Sequence, residues 1–352
     1  MNLLLRGSGW PNDANGEGIR PTALPMVEAW RGAAALMVVL AHWGGAAGWR
    51  DPLTAFAFVG VDLFFVISGF VFAPYVTGAA TPDWKAFAIR RVMRLYPAYL
   101  VALGLYAGLS AFNGRPLDHL AAHLLMAHVQ SREVAFYYNP AFWSLPSEVE
   151  FYLLVGVMGV ALSGAVRQQA WAWLLGGALL LRLALVPAAD VQGQNMAYLL
   201  VHHLPGLLVE FLLGTWAWTL SHRSSAVLRR WLTLGACGMA ACVVGYWALE
   251  TGPRGSQWVH GQMSLMMAAC FAPVLAATSQ WAPTSGLGAK ACDWAGRLSY
   301  PMYLLHTAWT PLVGTALGVV GCAALMLPAC LAMHLAVEEP ARRWGRRVAA
   351  RI

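Results

Sequence analysis

The sequence predicts an all-α, polytopic integral membrane protein with about ten transmembrane helices and both termini in the cytoplasm. Of its 352 residues, 59% are hydrophobic and only 11% charged, whereas soluble domains carry about 25% charged residues. Mean hydropathy is +0.56, and the apolar runs reach the roughly 20 helical residues that a hydrocarbon core requires. Basic residues gather in the short connections between those runs, as in a chain oriented by its loop charges. A membrane barrel would instead show short segments of alternating hydrophobicity. None is present.

Taken in order, the expected spans are 25–46, 54–76, 93–112, 147–165, 170–188, 198–220, 228–248, 260–280, 298–314 and 317–337. The first holds VEAWRGAAALMVVLAHWGG, and the second opens GVDLFFVISGFVFA with Ser68 and Gly69 interrupting bulky residues. The third follows KAFAIRRVMRLYPAYL, and the fourth starts within FWSLPSEVEFYLL. The ninth comes from GRLSYPMYLLHTAW, read as a helix start broken by proline. The tenth ends HLAVEEPARRWGRR, where Pro340 is expected to stop the helix. Between spans three and four, HLAAHLLMAHV (119–129) is too short to cross and is placed on an interfacial or re-entrant helix. No soluble domain and no internal repeat is discernible.

Loop charge tests this order. With ten spans, one side collects seventeen Lys and Arg and the other Arg50, Arg115, Arg132 and Arg254, while Arg31 and Arg182 fall inside spans. The rich side is cytoplasmic by the positive-inside rule. The net charge of +7 is therefore a matter of topology rather than a nucleic-acid face. Seventeen Trp suit two interfacial belts. Six cysteines with no CxxC read as packing residues, so no metal site and no disulfide framework is expected. Met1 to Leu24 has no signal-peptide core and reads as a polar cytoplasmic tail (1–24), and 339–352 as a basic cytoplasmic tail.

Ionisable residues inside spans mark cavities or partners. Arg31 and His42 are eleven residues apart, three turns plus about 20°, so they share one face and lie roughly 16 Å apart along the axis. Snorkelling of Arg31 toward headgroups is the plain alternative, and a ring satisfied by a neighbouring helix is the alternative for His42. Arg90, Arg91 and Arg94 lie three and four apart at the cytoplasmic mouth of the third span, a spacing that clusters guanidiniums suited to phosphate or to lipid headgroups. Glu148 and Tyr152 share a face at the outer start of the fourth span, where Ser144 or Ser147 suits a cap. Glu150 points elsewhere, toward headgroups. A carboxylate at the level of His42 would fix its tautomer. Asp62, Ser68, Tyr303 and His306 complete the candidate lining.

Together these blocks resemble the membrane-bound acyltransferase 3 family. RGAAALMVVLAH is similar to its Arg-x10-His signature, GVDLFFVISGF to its next block, RRVMRLYP to its Arg-rich block and WSLPSEVEFYL to its W-S-L-x-x-E block. LLVEFLLG, RLSYPMYLLH and VEEPARR resemble later segments, so the likeness runs along nearly the whole chain in order. The resemblance implies an O-acyltransferase, most often an O-acetyltransferase, over 25–338. Such an enzyme takes acetyl-CoA or another acyl-CoA from the cytoplasm and acylates a hydroxyl of a glycan, glycolipid or similar envelope acceptor.

It implies Arg31 and His42 as the catalytic pair, with His42 as general base and Glu148 beside it. Arg90, Arg91 and Arg94 would handle the donor. Val149 stands where the family carries a second Glu. The resemblance also implies a bacterial inner membrane and contact with membrane lipid; no fused esterase-like domain is expected. The rival from another class is a proton-coupled transporter or flippase, which would show inverted repeats. A lipid-binding scaffold leaves the Arg31–His42 stripe without a purpose.

Overall fold

The computed structural model describes residues 24–49, 51–190, 195–250, 257–283 and 285–352. Residues 1–23 of the expected tail, Arg50 and Arg254 lie outside the described residues. Every regular element among the described residues is helical.

In chain order these are α1 (Pro25–Ala46), the short α2 (Pro52–Phe56), α3 (Gly60–Val76) and α4 (Trp84–Phe112). Between α4 and α7 come α5 (Leu120–Leu124) and α6 (Arg132–Ala135), then α7 (Leu145–Ala161), α8 (Gly164–Ala188), α9 (Met196–His202) and α10 (Leu204–Ser221). The chain continues with α11 (Ser225–Glu250), α12 (Gln257–Thr278), α13 (Gly286–Leu305), α14 (Thr310–Val313), α15 (Gly318–Met333) and α16 (Glu339–Ala349).

Eight helical segments among the described residues are long and apolar enough to cross a membrane. The two remaining expected spans fall on α1 and α13, which pack along each other. Glu28, Arg31 and His42 lower the apolarity of α1, and Lys290, Asp293 and Arg297 that of α13. Lipid-facing surface is plain on α8 and α11, where Trp173, Leu180, Leu234 and Val244 are exposed, because hydrocarbon rather than water covers them.

Several boundaries differ from expectation. The third span begins nine residues early, at Trp84, because the Asp83 side chain caps α4 by accepting from Ala86 N at 2.9 Å. Span six is two helices: the chain breaks at His203, where Glu150 Oε2 accepts from Leu204 N at 2.7 Å and Oε1 lies 2.5 Å from His203 Nδ1. Glu150 therefore caps α10 rather than facing headgroups.

Pro301 lies inside α13 and does not start it. Pro340 does not stop the last helix either. A π turn, His334–Glu338, precedes it and places Pro340 in the first turn of α16, where its missing N–H is no loss. The stretch 119–129 forms only the five-residue α5, since His119 and Met126 have positive φ of 61° and 51°.

The core lies around α3, wedged between α1, α10 and α12. The α3–α10 contact is backbone against backbone. A Cβ on Gly69 would stand 1.7 Å from Phe211 O, and one on Gly214 would stand 1.9 Å from Val66 O. Glycine lets parallel helices approach this closely.

Candidate active site

His42 sits one turn from the C-terminal end of α1. Its Nδ1 lies 2.9 Å from Val38 O, the carbonyl one turn earlier on the same helix. A carbonyl oxygen only accepts, so Nδ1 carries the proton and Nε2 the lone pair. His306 is fully buried at the end of α13, with Nδ1 at 3.1 Å from Met302 O and 3.0 Å from Tyr303 O. By the same reasoning its Nδ1 is protonated and its Nε2 is an acceptor. That Nε2 faces His42 Nδ1 at 3.3 Å, with ring centroids 4.8 Å apart and planes at 66°. The N–H of His42 is thus shared between a carbonyl and a second imidazole.

The surroundings hold this pair still. Trp43 Nε1 donates to His306 O at 3.0 Å. Tyr106 Oη donates to Leu304 O at 3.0 Å, and Asn139 Nδ2 to the same oxygen at 3.0 Å. Tyr303 Oη donates to Ala141 O at 2.5 Å and accepts from Ser144 Oγ at 2.6 Å. Ser144 is therefore spent on Tyr303 and Ser147 on His202 O, at 2.8 Å, so neither side chain caps α7. A cavity of about 460 Å³ opens beside His42, lined by Ala46, Pro140, Thr307, Thr310, Pro311 and Gly314.

A second group of polar residues lies toward the other end of α1. Arg31 Nη1 is 3.8 Å from Glu28 Oε1. Glu28 interacts electrostatically with Arg94, Arg342 and Arg297, and Arg94 with Glu338, Tyr152, Glu28 and Glu148. The Arg91 guanidinium lies 4.9 Å over Phe72, 5.7 Å over Phe87 and 5.8 Å over Tyr152, while its buried Nε has no hydrogen-bond partner among the described residues. Arg90 is half-buried beside Arg91, Tyr75 and Asp83. The π turn contributes His334, whose Nδ1 is 3.0 Å from Glu338 Oε2, and Arg342 stands 3.6 Å from Glu338.

Glu148 and Tyr152 do share a face. The phenol donates to Glu148 Oε1, and Ser68 Oγ donates to the same atom at 3.4 Å. This triad belongs with the arginine group through Arg94. His42 finds Val38 and His306 instead, so the expected carboxylate partner is replaced by an imidazole. Asp62 lies apart from both groups, against Ser264 of α12 and Glu210 of α10.

Residues 25–336 match the acyltransferase 3 family over its acyltransferase domain, and the chain belongs to that family. Among curated relatives it is 40% identical over 92 residues to "protein 2 in picA locus" of Rhizobium radiobacter, covering 25% of this chain and 46% of that protein. It is 29% identical over 210 residues to a putative membrane-bound transacylase, BcsY, of Komagataeibacter xylinus, covering 55% of this chain and 50% of that protein. The chain thus matches about half the length of these curated relatives. No solved structure matches it. It is an integral membrane protein of an acyltransferase family.

Proposed function

We propose that this chain is an O-acyltransferase, with acetyl-CoA as the leading donor, that acylates a hydroxyl of a glycan or glycolipid in a bacterial inner membrane. The observation that carries the reading is the placement of His42, with Nδ1 2.9 Å from Val38 O and 3.3 Å from His306 Nε2, which assigns the proton to Nδ1 and leaves Nε2 basic, and with the ring on a cavity wall.

In this reading the acceptor hydroxyl enters the cavity and gives its proton to His42 Nε2 as its oxygen attacks the thioester carbonyl. The C–S bond then breaks, and the proton passes from imidazolium to the leaving thiolate, giving ester and free thiol with no net proton change. The imidazolium is stabilised because its Nδ1–H already points at two acceptors. The donor's phosphates fit the arginine group, where Arg91 Nε is buried and unpartnered and guanidiniums suit bidentate phosphate contact. Arg31 belongs to that group through Glu28 and lies on the stripe of α1 that also carries His42.

With both termini cytoplasmic, as the loop charges imply, the arginine group faces the cytoplasm and the His42 cavity the opposite side. The domain would then run over 25–338. The test is mass spectrometry of envelope glycans and lipids from cells with and without the gene. An acyl mass increment present only with the gene supports the reading. Identical profiles, in cells shown to make the protein, contradict it.

A further inference from the structure

The proposed acyl transfer leaves one buried cluster unused. Asp62 on α3, Arg182 on α8, Glu210 on α10 and Ser264 on α12 meet in the protein interior, with exposures of 5%, 4%, 0% and 7%. Arg182 lies six residues before the end of α8, Glu210 six after the start of α10 and Ser264 seven after the start of α12. At about 1.5 Å per residue, these three stand roughly 10 Å in from one end of their helices. The backbone-to-backbone crossing of α3 and α10 brings Asp62, one turn before Val66, to Glu210, one turn before Gly214.

The donors do not suffice for two carboxylates. Arg182 Nη1 donates to Val201 O at 3.1 Å and Nη2 to Gly261 O at 3.4 Å, and Nη2 only approaches Glu210 Oε1, at 3.6 Å. Ser264 Oγ donates to Asp62 Oδ1. Among the described residues no N–H or O–H donates to either oxygen of Glu210, and its carboxyl interacts electrostatically with that of Asp62. Ionised carboxylates only accept, and burying an uncompensated charge is costly. Two interacting carboxyls buried away from water with a single guanidinium beside them call for one proton.

We propose that Asp62 and Glu210 form a proton-binding site, one proton held between the two carboxyl groups with Arg182 balancing the remaining negative charge. The cluster is then neutral, as its burial demands. A metal cation is a poorer occupant because the Arg182 guanidinium already stands beside Glu210. Other titratable groups nearby are His202 of α9, which interacts electrostatically with Arg182, and His260 of α12, whose Nε2 is 3.1 Å from Tyr246 Oη of α11. Because acyl transfer releases no net proton, this proton belongs to the α3–α10 crossing and not to the chemistry. Its loss sets two like charges against each other on the helix that also carries Ser68 and Phe72.

Infrared spectroscopy of the purified full-length protein tests the site through the carbonyl band of a protonated carboxyl, which moves on exchange into heavy water. We expect that band in the wild type and its loss in both Asp62→Asn and Glu210→Gln, since either change leaves a single carboxylate for Arg182 or Ser264 to satisfy. No wild-type band, or a band that survives in either variant, overturns the proposal. Should a variant fail to fold, carboxyl-labelled aspartate or glutamate in the wild type decides. A band that moves with either label supports the site, and one that moves with neither overturns it.

Discussion

His306 Nε2 faces His42 Nδ1 at 3.3 Å, a pairing between two residues 264 apart in the chain. The buried ring is fixed by two carbonyls of α13 and in turn fixes the ring on α1. In the proposed reaction His306 acts as a positioning residue. We expect His306→Ala to lower kcat by about 10–100-fold, the loss usual when an orienting partner is removed from a histidine. Donor KM should stay near wild type. A variant with unchanged kcat would remove His306 from the site.

The arginine group makes a different prediction. Removing Arg91 and Arg94 together deletes charge-assisted contacts worth about 1.5–3 kcal/mol each at most. Donor KM should rise at least tenfold with little change in acceptor dependence. An unchanged donor KM would assign the group to lipid headgroups.

Glu148 separates the two groups. Its carboxylate takes Tyr152 and Ser68 and is felt by Arg94, so Glu148→Gln should weaken donor binding and leave the pH–rate profile in place. A displaced profile would return Glu148 to His42.

Acid should loosen the connection between α4 and α7. His123 and His128 are fully buried, stacked with centroids 4.1 Å apart, and donate through Nε2 to Val134 O and Phe142 O at 3.0 and 3.1 Å. Burial pushes both rings down from 6.5 to about 4. Unfolded rings take protons near pH 6.5 and folded ones only near 4, so the unfolded state binds more protons in that window. The stability they contribute is complete above about pH 6.5 and is lost as pH falls toward 4. Thermal midpoints should drop between pH 7 and 5, and less so in the double Phe variant. Equal drops in both proteins would count against this assignment.

The α3–α10 crossing tolerates no side chain. Gly214→Val should lower stability by at least about 1–3 kcal/mol, the usual penalty of overpacking. Gly104→Val, where a Cβ meets nothing within 4 Å, should not. Detergent-solubilised thermal midpoints compare the two.

Much of the site was legible because helical periodicity is local. Arg31 with His42, Arg91 with Arg94, and Glu148 with Tyr152 each follow from spacing on one helix. Partners on other helices were not. His306 was readable only as lining, since its pairing with His42 depends on how α13 meets α1. Glu150 looked like a headgroup contact because its role as the cap of α10 spans 54 residues of chain. Arg182 stood out only as a cation inside a span and Glu210 only within LLVEFLLG, although a charge inside an apolar span is signal enough to mark both as site candidates. Pro340 misled because a π turn, invisible in sequence, moved it to a harmless position.

The role proposed for His42 is that of base for acyl transfer. It is tested most directly by the rate at which labelled acetyl moves from acetyl-CoA to envelope acceptors in native membranes holding equal amounts of wild type and His42→Ala. General-base catalysis contributes about 10²–10⁴-fold, so the variant should fall at least a hundredfold while free thiol release falls with it. A variant that keeps more than about a tenth of the wild-type rate would contradict the account.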